Sequence, residues 1–326
     1  RGGTAGGSLK ALFEVRDGDN LENFKGKVTK ADSYSLTVEN ISIDNIKSLN
    51  LPDKDGKITV NNISYSYDSW EAQVDAQGNI KSVTFNLSKD KAIADPEKTV
   101  AEGYLLNAGS AINARGIPYY MTQLNEFVRN FSEMFNQIES KGQNLNGDTP
   151  PTFFEAITNT AKVYDFSESE AYSKLPDGQT ATINSSSNTY YRMTAANFSV
   201  NKDVMNDVSL FATSTDYVKT DSCDIVDELK KLQSEKTVYR GDKAESFLET
   251  IISNVSVDTE KAETYNKLYS NLEQTIANQR TSVSGVDEDE EALNLVKFQY
   301  SYNMASKIIS VMNQMLDKLI NDTGVA

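Results

Sequence analysis

Histidine is absent from this chain, and that absence removes most familiar enzyme chemistry. Ser-His-Asp and Cys-His catalysis, His-ligated zinc and HExxH proteases all need an imidazole. Cysteine is nearly absent as well: Cys223 stands alone, so no intrachain disulfide can form and stability must come from packing. Long hydrophobic runs are missing too. Nothing approaches the roughly 18 consecutive apolar residues that a membrane span needs. Basic charge is scarce, with 32 Lys and Arg against 47 Asp and Glu, a net charge of −15. Nucleic-acid binding needs a basic footprint, and anionic lipid attracts basic segments, so neither partner fits. The start, Arg1-Gly-Gly-Thr-Ala-Gly-Gly, has no apolar core of a cleavable signal peptide. It reads as a cut through a longer protein. No cofactor or metal site is read from the sequence.

What the chain does have is concentrated at its C-terminus, residues 283–324. Leu295, Phe298, Tyr302, Ala305, Ile309, Met312, Leu316 and Leu319 follow one another at alternating spacings of three and four. That is the seam of a coiled coil held for more than three heptads. A second stripe, Leu293, Val296, Tyr300, Met304, Ile308, Val311 and Met315, runs beside it. A single stripe does not hold an isolated helix of this length in water. Both stripes therefore call for partners, and part of the seam is expected to pack on residues 258–282 or 119–138.

The 326 residues suffice for two or three domains. Four patterns divide them. Residues 8–16 carry a short helical period, ending at a turn signal around Asp17, Gly18 and Asp19. From 20 to about 95 the period becomes two: Tyr34, Leu36 and Val38; Ile41 and Ile43; Ile58 and Val60; Ile63, Tyr65 and Tyr67; Val83, Phe85 and Leu87. Alternation of this kind predicts half-buried strands. Turn chemistry at 52–56 and 75–79 separates them. A small antiparallel domain of five to seven strands is expected. A helix of about 20 residues then begins at Tyr119 and carries Met121, Leu124, Phe127, Val128, Phe131, Met134, Phe135 and Ile138. Lys141 and Gly142 form its stop signal. Residues 160–222 read as β-rich and loopy, with strand candidates at 190–193, 198–200 and 210–211. Helices follow at 224–234, 243–255, 258–282 and 287–321. The last two form an antiparallel hairpin or one bent rod.

The expected fold is therefore α+β and multidomain. It is an elongated helical stalk of N- and C-terminal segments (1–17, 113–160 and 223–326) with inserted antiparallel β-domains. One of these is 18–112, and a second β-rich region is 161–222.

Candidate chemical sites have simpler structural explanations. The acidic run at 287–291 matches a helix start, with Asp287 as N-cap, Glu290 at the third position and acid at the positive dipole end. It has no EF-hand spacing. Asp53 to Gly56 lacks the twelfth-position Glu of such a loop. Arg240, Gly241 and Asp242 spell a receptor-binding tripeptide, but Asp242 with Glu245 and the following Phe247 and Leu248 reads as a capping box. Cys223, with no histidine or second thiol, reads as a small buried or half-exposed side chain rather than a nucleophile. Nothing marks out a carboxylate pair for glycosidase work. No enzyme activity is expected.

The C-terminal residues also carry a family resemblance. Ser284, Gly285, Val286 and Asp287, then Glu290, Glu291, Ala292, Leu295, Phe298, Gln299, Tyr302, Ala305 and Ser306, resemble the closing motif of flagellar axial proteins. Residues 7–17, Leu124 to Asn136 with Gly142 to Gly147, and Met193 to Val200 resemble three further segments, in order, of the hook-associated protein 1 family, the first of the hook–filament junction proteins. The resemblance implies an extracellular structural protein of the bacterial flagellum, secreted unfolded by type III export. It implies a ring of subunits touching hook protein and hook-associated protein 3, and an export chaperone at the C-terminal helix. The family's N-terminal helix would be missing, so the chain would be a fragment, with 18–112 inserted into the family pattern. The runner-up reading is an adhesin-like or glycan-binding surface carried by that insert.

Overall fold

The computed structural model describes residues 8–322 apart from 19–23, 54, 90–91, 95, 97–99, 101, 110–114, 219–221, 237–238 and 240. The Asp19 end of the first turn signal, Lys54 of the 52–56 turn and Arg240 of the tripeptide lie outside the described residues. The class is α+β, with an antiparallel sheet and long C-terminal helices, as the sequence predicts. The chain divides into two units, one up to Ser253 and one from Asn254 on.

In the first unit, helix α1 (Ser8–Asp17) leads to strands β1 (Lys25–Asp32), β2 (Ser35–Glu39), β3 (Gly56–Val60), β4 (Ile63–Val74), β5 (Ile80–Leu87) and β6 (Leu105–Ala108). All neighbours are antiparallel in the order β3-β6-β1-β2-β5-β4, and β3 also pairs with β4. The six strands thus form a closed ring, which removes free edges among them. Its interior is the main core, including Phe24, Val28, Leu36, Val38, Ile58, Tyr67, Trp70, Val83 and Phe85.

Strand β4 shows how the ring stays filled. Tyr65 and Tyr67 point inward, and so do Trp70, Ala72 and Val74. A register shift between Tyr67 and Ser69 resets the parity, so one bulged strand lines the core along both halves. Tyr67 lies across Gly56, its partner in β3. A Cβ at Gly56 would sit 2.1 Å from the Tyr67 ring, so the glycine makes room for the aromatic.

The expected strands around residues 36–38, 58–60, 63–67 and 83–87 are present. Ile41 and Ile43 do not form one. Strands β1 and β6 were not legible, because β1 reads KGKVTKAD with one large apolar residue and no alternation. The sheet also extends past 18–112: strand β8 (Ala181–Asn184) pairs with the outer half of β4, Ala72 opposite Ile183. Tyr172, Ile183 and Tyr191 complete the barrel core. The barrel enters and leaves the helical part at one point, where the Gly116 N–H donates to the Gly18 carbonyl at 3.3 Å.

Helix α2 (Ile117–Glu139) starts with a proline in its first turn, where the missing N–H costs nothing. Its faces are used unexpectedly. The polar face is buried: Gln123, Asn125, Glu126, Arg129, Asn130, Glu133, Asn136 and Glu139. The apolar stripe from Met121 to Phe135 is only half-buried. Phe127 stacks on Tyr239 and Phe247, while Phe135 meets Phe153 and Phe154. Gly142, read as a left-handed helix stop, has no positive φ. It is required by packing instead, since a Cβ there would lie 2.6 Å from that of Ala212.

The rest of the unit is short elements: β7 (Phe154–Ala156) paired with β9 (Phe198–Val200), and helices α3 (Ser167–Ser173), α4 (Lys202–Asn206) and α5 (Asp224–Ser234). Residues 190–192 and 208–210, expected as strands at 190–193 and 210–211, form 3-10 turns. Cys223, expected to be buried or half-exposed, is exposed at the start of α5.

Helix α6 (Ala244–Ser284) is continuous, although the sequence reading broke it at 256–257. The Thr259 hydroxyl donates to the Val255 carbonyl at 2.7 Å, and the helix runs on through both positions. Asp242 does not cap α6. It closes a turn with Tyr239, and the helix begins two residues later.

Candidate assembly surface

Helix α7 (Glu288–Asn321) begins where the acidic run predicts. Asp287 is the N-cap, its Oδ1 accepting from the amides of Asp289 at 3.0 Å and Glu290 at 3.4 Å. Four acids, Glu288 to Glu291, fill the first turn, on the positive end of the helix dipole. The break from α6 is a tight one. The Gly285 amide donates to the Thr281 carbonyl at 2.6 Å, and a Cβ on Gly285 would stand 2.2 Å from that oxygen.

All eight seam residues lie on α7, and all are exposed. The seven large ones, Leu295, Phe298, Tyr302, Ile309, Met312, Leu316 and Leu319, are 51–74% exposed. The neighbouring stripe from Leu293 to Met315 is exposed as well. The expected packing of the seam on 258–282 does not form, nor does a hairpin. Tyr265, Tyr269, Leu272 and Ile276 on that part of α6 are themselves exposed. The sequence spacing called for a buried helix, and among the described residues no surface covers it.

Chemically the two stripes are aliphatic, aromatic and thioether side chains. A heptad stripe drifts by about 20° per heptad on a straight helix, so a partner helix following it must wrap left-handedly. Burying eight such side chains would stabilise a complex by about 12–24 kcal/mol before ordering costs. An apolar helix of this breadth is otherwise found only inside proteins or assemblies.

The first unit holds strongly perturbed groups of a different kind. Arg129 of α2 is 2% exposed. Its Nε donates to the Met193 carbonyl at 2.9 Å, and one terminal nitrogen donates to the carbonyls of Lys47 at 3.1 Å and Leu49 at 2.7 Å. The guanidinium lies 4.4 Å from the Tyr191 ring centre, and the Tyr191 hydroxyl donates to the Leu51 carbonyl. One buried cation therefore ties α2, the barrel and the 190–193 turn together. Burial lowers its pKa, while Tyr191, Glu126 and Asp53 favour its charge. Glu133 forms an ion pair with Lys47 at 2.7 Å. Glu139 is 1% exposed, and no donor satisfies either carboxylate oxygen within ordinary hydrogen-bond geometry. Burial pushes its pKa up to about 7, against the pull of the Ala212 amide. Sequence reasoning missed these residues, since polar side chains on a helix ordinarily mark its solvated face.

Comparison with known proteins points to the C-terminal helices. Residues 277–322 match the family described as flagellar basal body rod FlgEFG protein C-terminal. Flagellar hook-associated protein 1 of Bacillus subtilis (strain 168) is 24% identical over 215 residues, 64% of this chain and 36% of the relative. The chain thus spans about a third of the length of that relative. No solved structure matches. The family match falls on the C-terminal helices, as the closing motif of axial proteins indicates, and the chain is similar to flagellar hook-associated protein 1, as the three further segments indicate.

Proposed function

We propose that this chain is a structural, non-enzymatic part of the bacterial flagellum, acting at the junction between hook and filament. The observation that carries the reading is α7. It is a well-capped helix of 34 residues with two apolar stripes that are exposed among the described residues. Its match to the C-terminal segment of flagellar rod proteins supports burial of those stripes against other axial subunits. In this reading Leu295, Phe298, Tyr302, Ala305, Ile309, Met312, Leu316 and Leu319 form the assembly face. Neighbouring copies in a ring, hook protein and hook-associated protein 3 are the partners in the assembled state. An export chaperone covers the same stripes before secretion, because a free helix with this face would aggregate. The final location is extracellular, in the flagellum.

The test is Ile309→Asp in the full-length protein, produced in cells that lack their own copy. A carboxylate at the centre of the seam would be buried without a partner on assembly. Electron microscopy should show hooks without filaments, while the isolated variant keeps the circular dichroism of the parent. Filaments of normal number and length on the Asp variant would remove the seam from the assembly surface.

A further inference from the structure

A cavity of about 280 Å³ opens in the first unit beside the C-terminal end of α2. Three carboxylates line it, Glu133, Glu155 and Asp165, together with the rings of Tyr164, Phe166 and Tyr190, and no lysine or arginine is among its lining residues. The carboxylates differ in how they are satisfied. Asp165 accepts from the Ser167 amide at 2.9 Å and the Ser167 hydroxyl at 2.8 Å. Glu133 accepts from the Gln137 side chain at 3.2 Å and pairs with Lys47. Glu155, at the centre of β7, is 6% exposed as a residue; its carboxylate opens on the cavity and has neither a hydrogen bond nor an ion pair among the described residues. Its charged neighbours are Asp203 and Lys202, of opposite sign.

The Glu155 carboxylate is partly desolvated and takes no donor from the described residues, so a ligand that brings a donor into the cavity relieves that cost. The lining also selects the ligand's sign. Carboxylates set beside aromatic rings, with little water between, attract a cation through charge and through the ring faces. Tyr164 already receives the Arg192 guanidinium 4.2 Å from its ring centre, and Phe166 and Tyr190 stack 4.3 Å apart to form a rigid wall. The volume suits a group the size of one long side chain and falls below the range of drug-sized sites.

We propose that this cavity binds a small organic cation, a guanidinium or primary ammonium on a short alkyl chain, with the Glu155 carboxylate as its principal acceptor. The cation is either a free amine or the basic side chain of a peptide, and both bring the same chemistry.

The test is a titration of the whole chain with agmatine at low ionic strength, followed by calorimetry and by the NMR signals of the tyrosine rings. Saturable binding is expected, with shifts at Tyr164 and Tyr190. Glu155→Gln, nearly identical in shape, should weaken binding about ten-fold, the loss of one charge-assisted hydrogen bond. Asp165→Asn should weaken it less, and serves if the first variant folds poorly. N-butylurea, similar in size but uncharged, should bind at least about ten-fold more weakly. Nα-acetyl-arginine methylamide separates the two sources: binding equal to that of agmatine assigns the cavity to a peptide side chain, and its failure beside agmatine's success assigns it to a free amine. Absence of agmatine binding, equal binding of N-butylurea, or unchanged affinity in both carboxylate variants would overturn the proposal.

Discussion

Arg129 and Glu139, ten residues apart on α2, are both buried, and their neighbours treat them oppositely. Arg129 keeps its charge because three carbonyls and a tyrosine face surround it. Arg129→Met would leave those carbonyls without donors, at about 1–3 kcal/mol for an unsatisfied buried group. Denaturant unfolding should show a loss of at least about 2 kcal/mol. Arg129→Lys should recover little of it, because an ammonium lacks the planar fork. A Met variant as stable as the parent would mean that the guanidinium does not hold these segments together. Glu139 has no such support. Its pKa stands near 7 in the fold, against an ordinary value of 4.5, so the folded chain holds a proton that the unfolded chain has released. Stability should therefore fall as pH rises from about 4.5 to 7 and stay low above it, by up to about 2 kcal/mol. Glu139→Gln should abolish that fall and raise the melting temperature at pH 8 but not at pH 4. Parallel stability curves for the two proteins would contradict the assignment.

At the scale of elements, the local signals that the sequence carries were mostly sufficient. The span 224–234 matches α5, 287–321 matches α7 to within one residue, and Asp287 is the cap. These features depend on residues three or four apart, and such spacing is printed in the chain. Asp287→Ala should remove the oxygen that accepts from two amides, cost about 1 kcal/mol of helix stability and speed amide exchange at residues 288–291, leaving positions beyond 295 unchanged. Uniform acceleration along α7 would show instead that the cap governs the whole helix. Elements without strong local periodicity were not legible. β1 is lysine-rich and β6 spans four residues. Both exist because each lies between two other strands of the ring. The faces of α2 were misjudged for a related reason. Its polar side lies against carbonyls and side chains from residues 47–50, 154 and 190–195, none of which is near it in sequence.

At the scale of the molecule, the barrel is inserted at a single joint yet is not separable. Gly18 and Gly116 meet by a hydrogen bond, so the chain could be rejoined there without strain on the backbone. Excising residues 24–108, however, would strip Arg129 of the Lys47 and Leu49 carbonyls and Glu133 of Lys47. It would also bare Tyr172, Ile183 and Tyr191, which now complete the barrel core. The rejoined chain is expected to lose cooperative thermal unfolding, and Arg129→Met, destabilising in the intact protein, should partly restore it by removing an orphaned charge. A rejoined chain that melts as sharply as the parent would show that the barrel contributes nothing to the rest. The division of information follows from range. Composition excluded histidine chemistry and disulfides, alternation located the inner strands, and heptad spacing identified the α7 seam, since each is a property of neighbouring residues. Ring closure, the seventh strand from 181–184, the acceptors of Arg129 and the carboxylate-lined cavity were decided by tertiary structure, because each depends on segments tens to more than a hundred residues apart whose meeting no local pattern encodes.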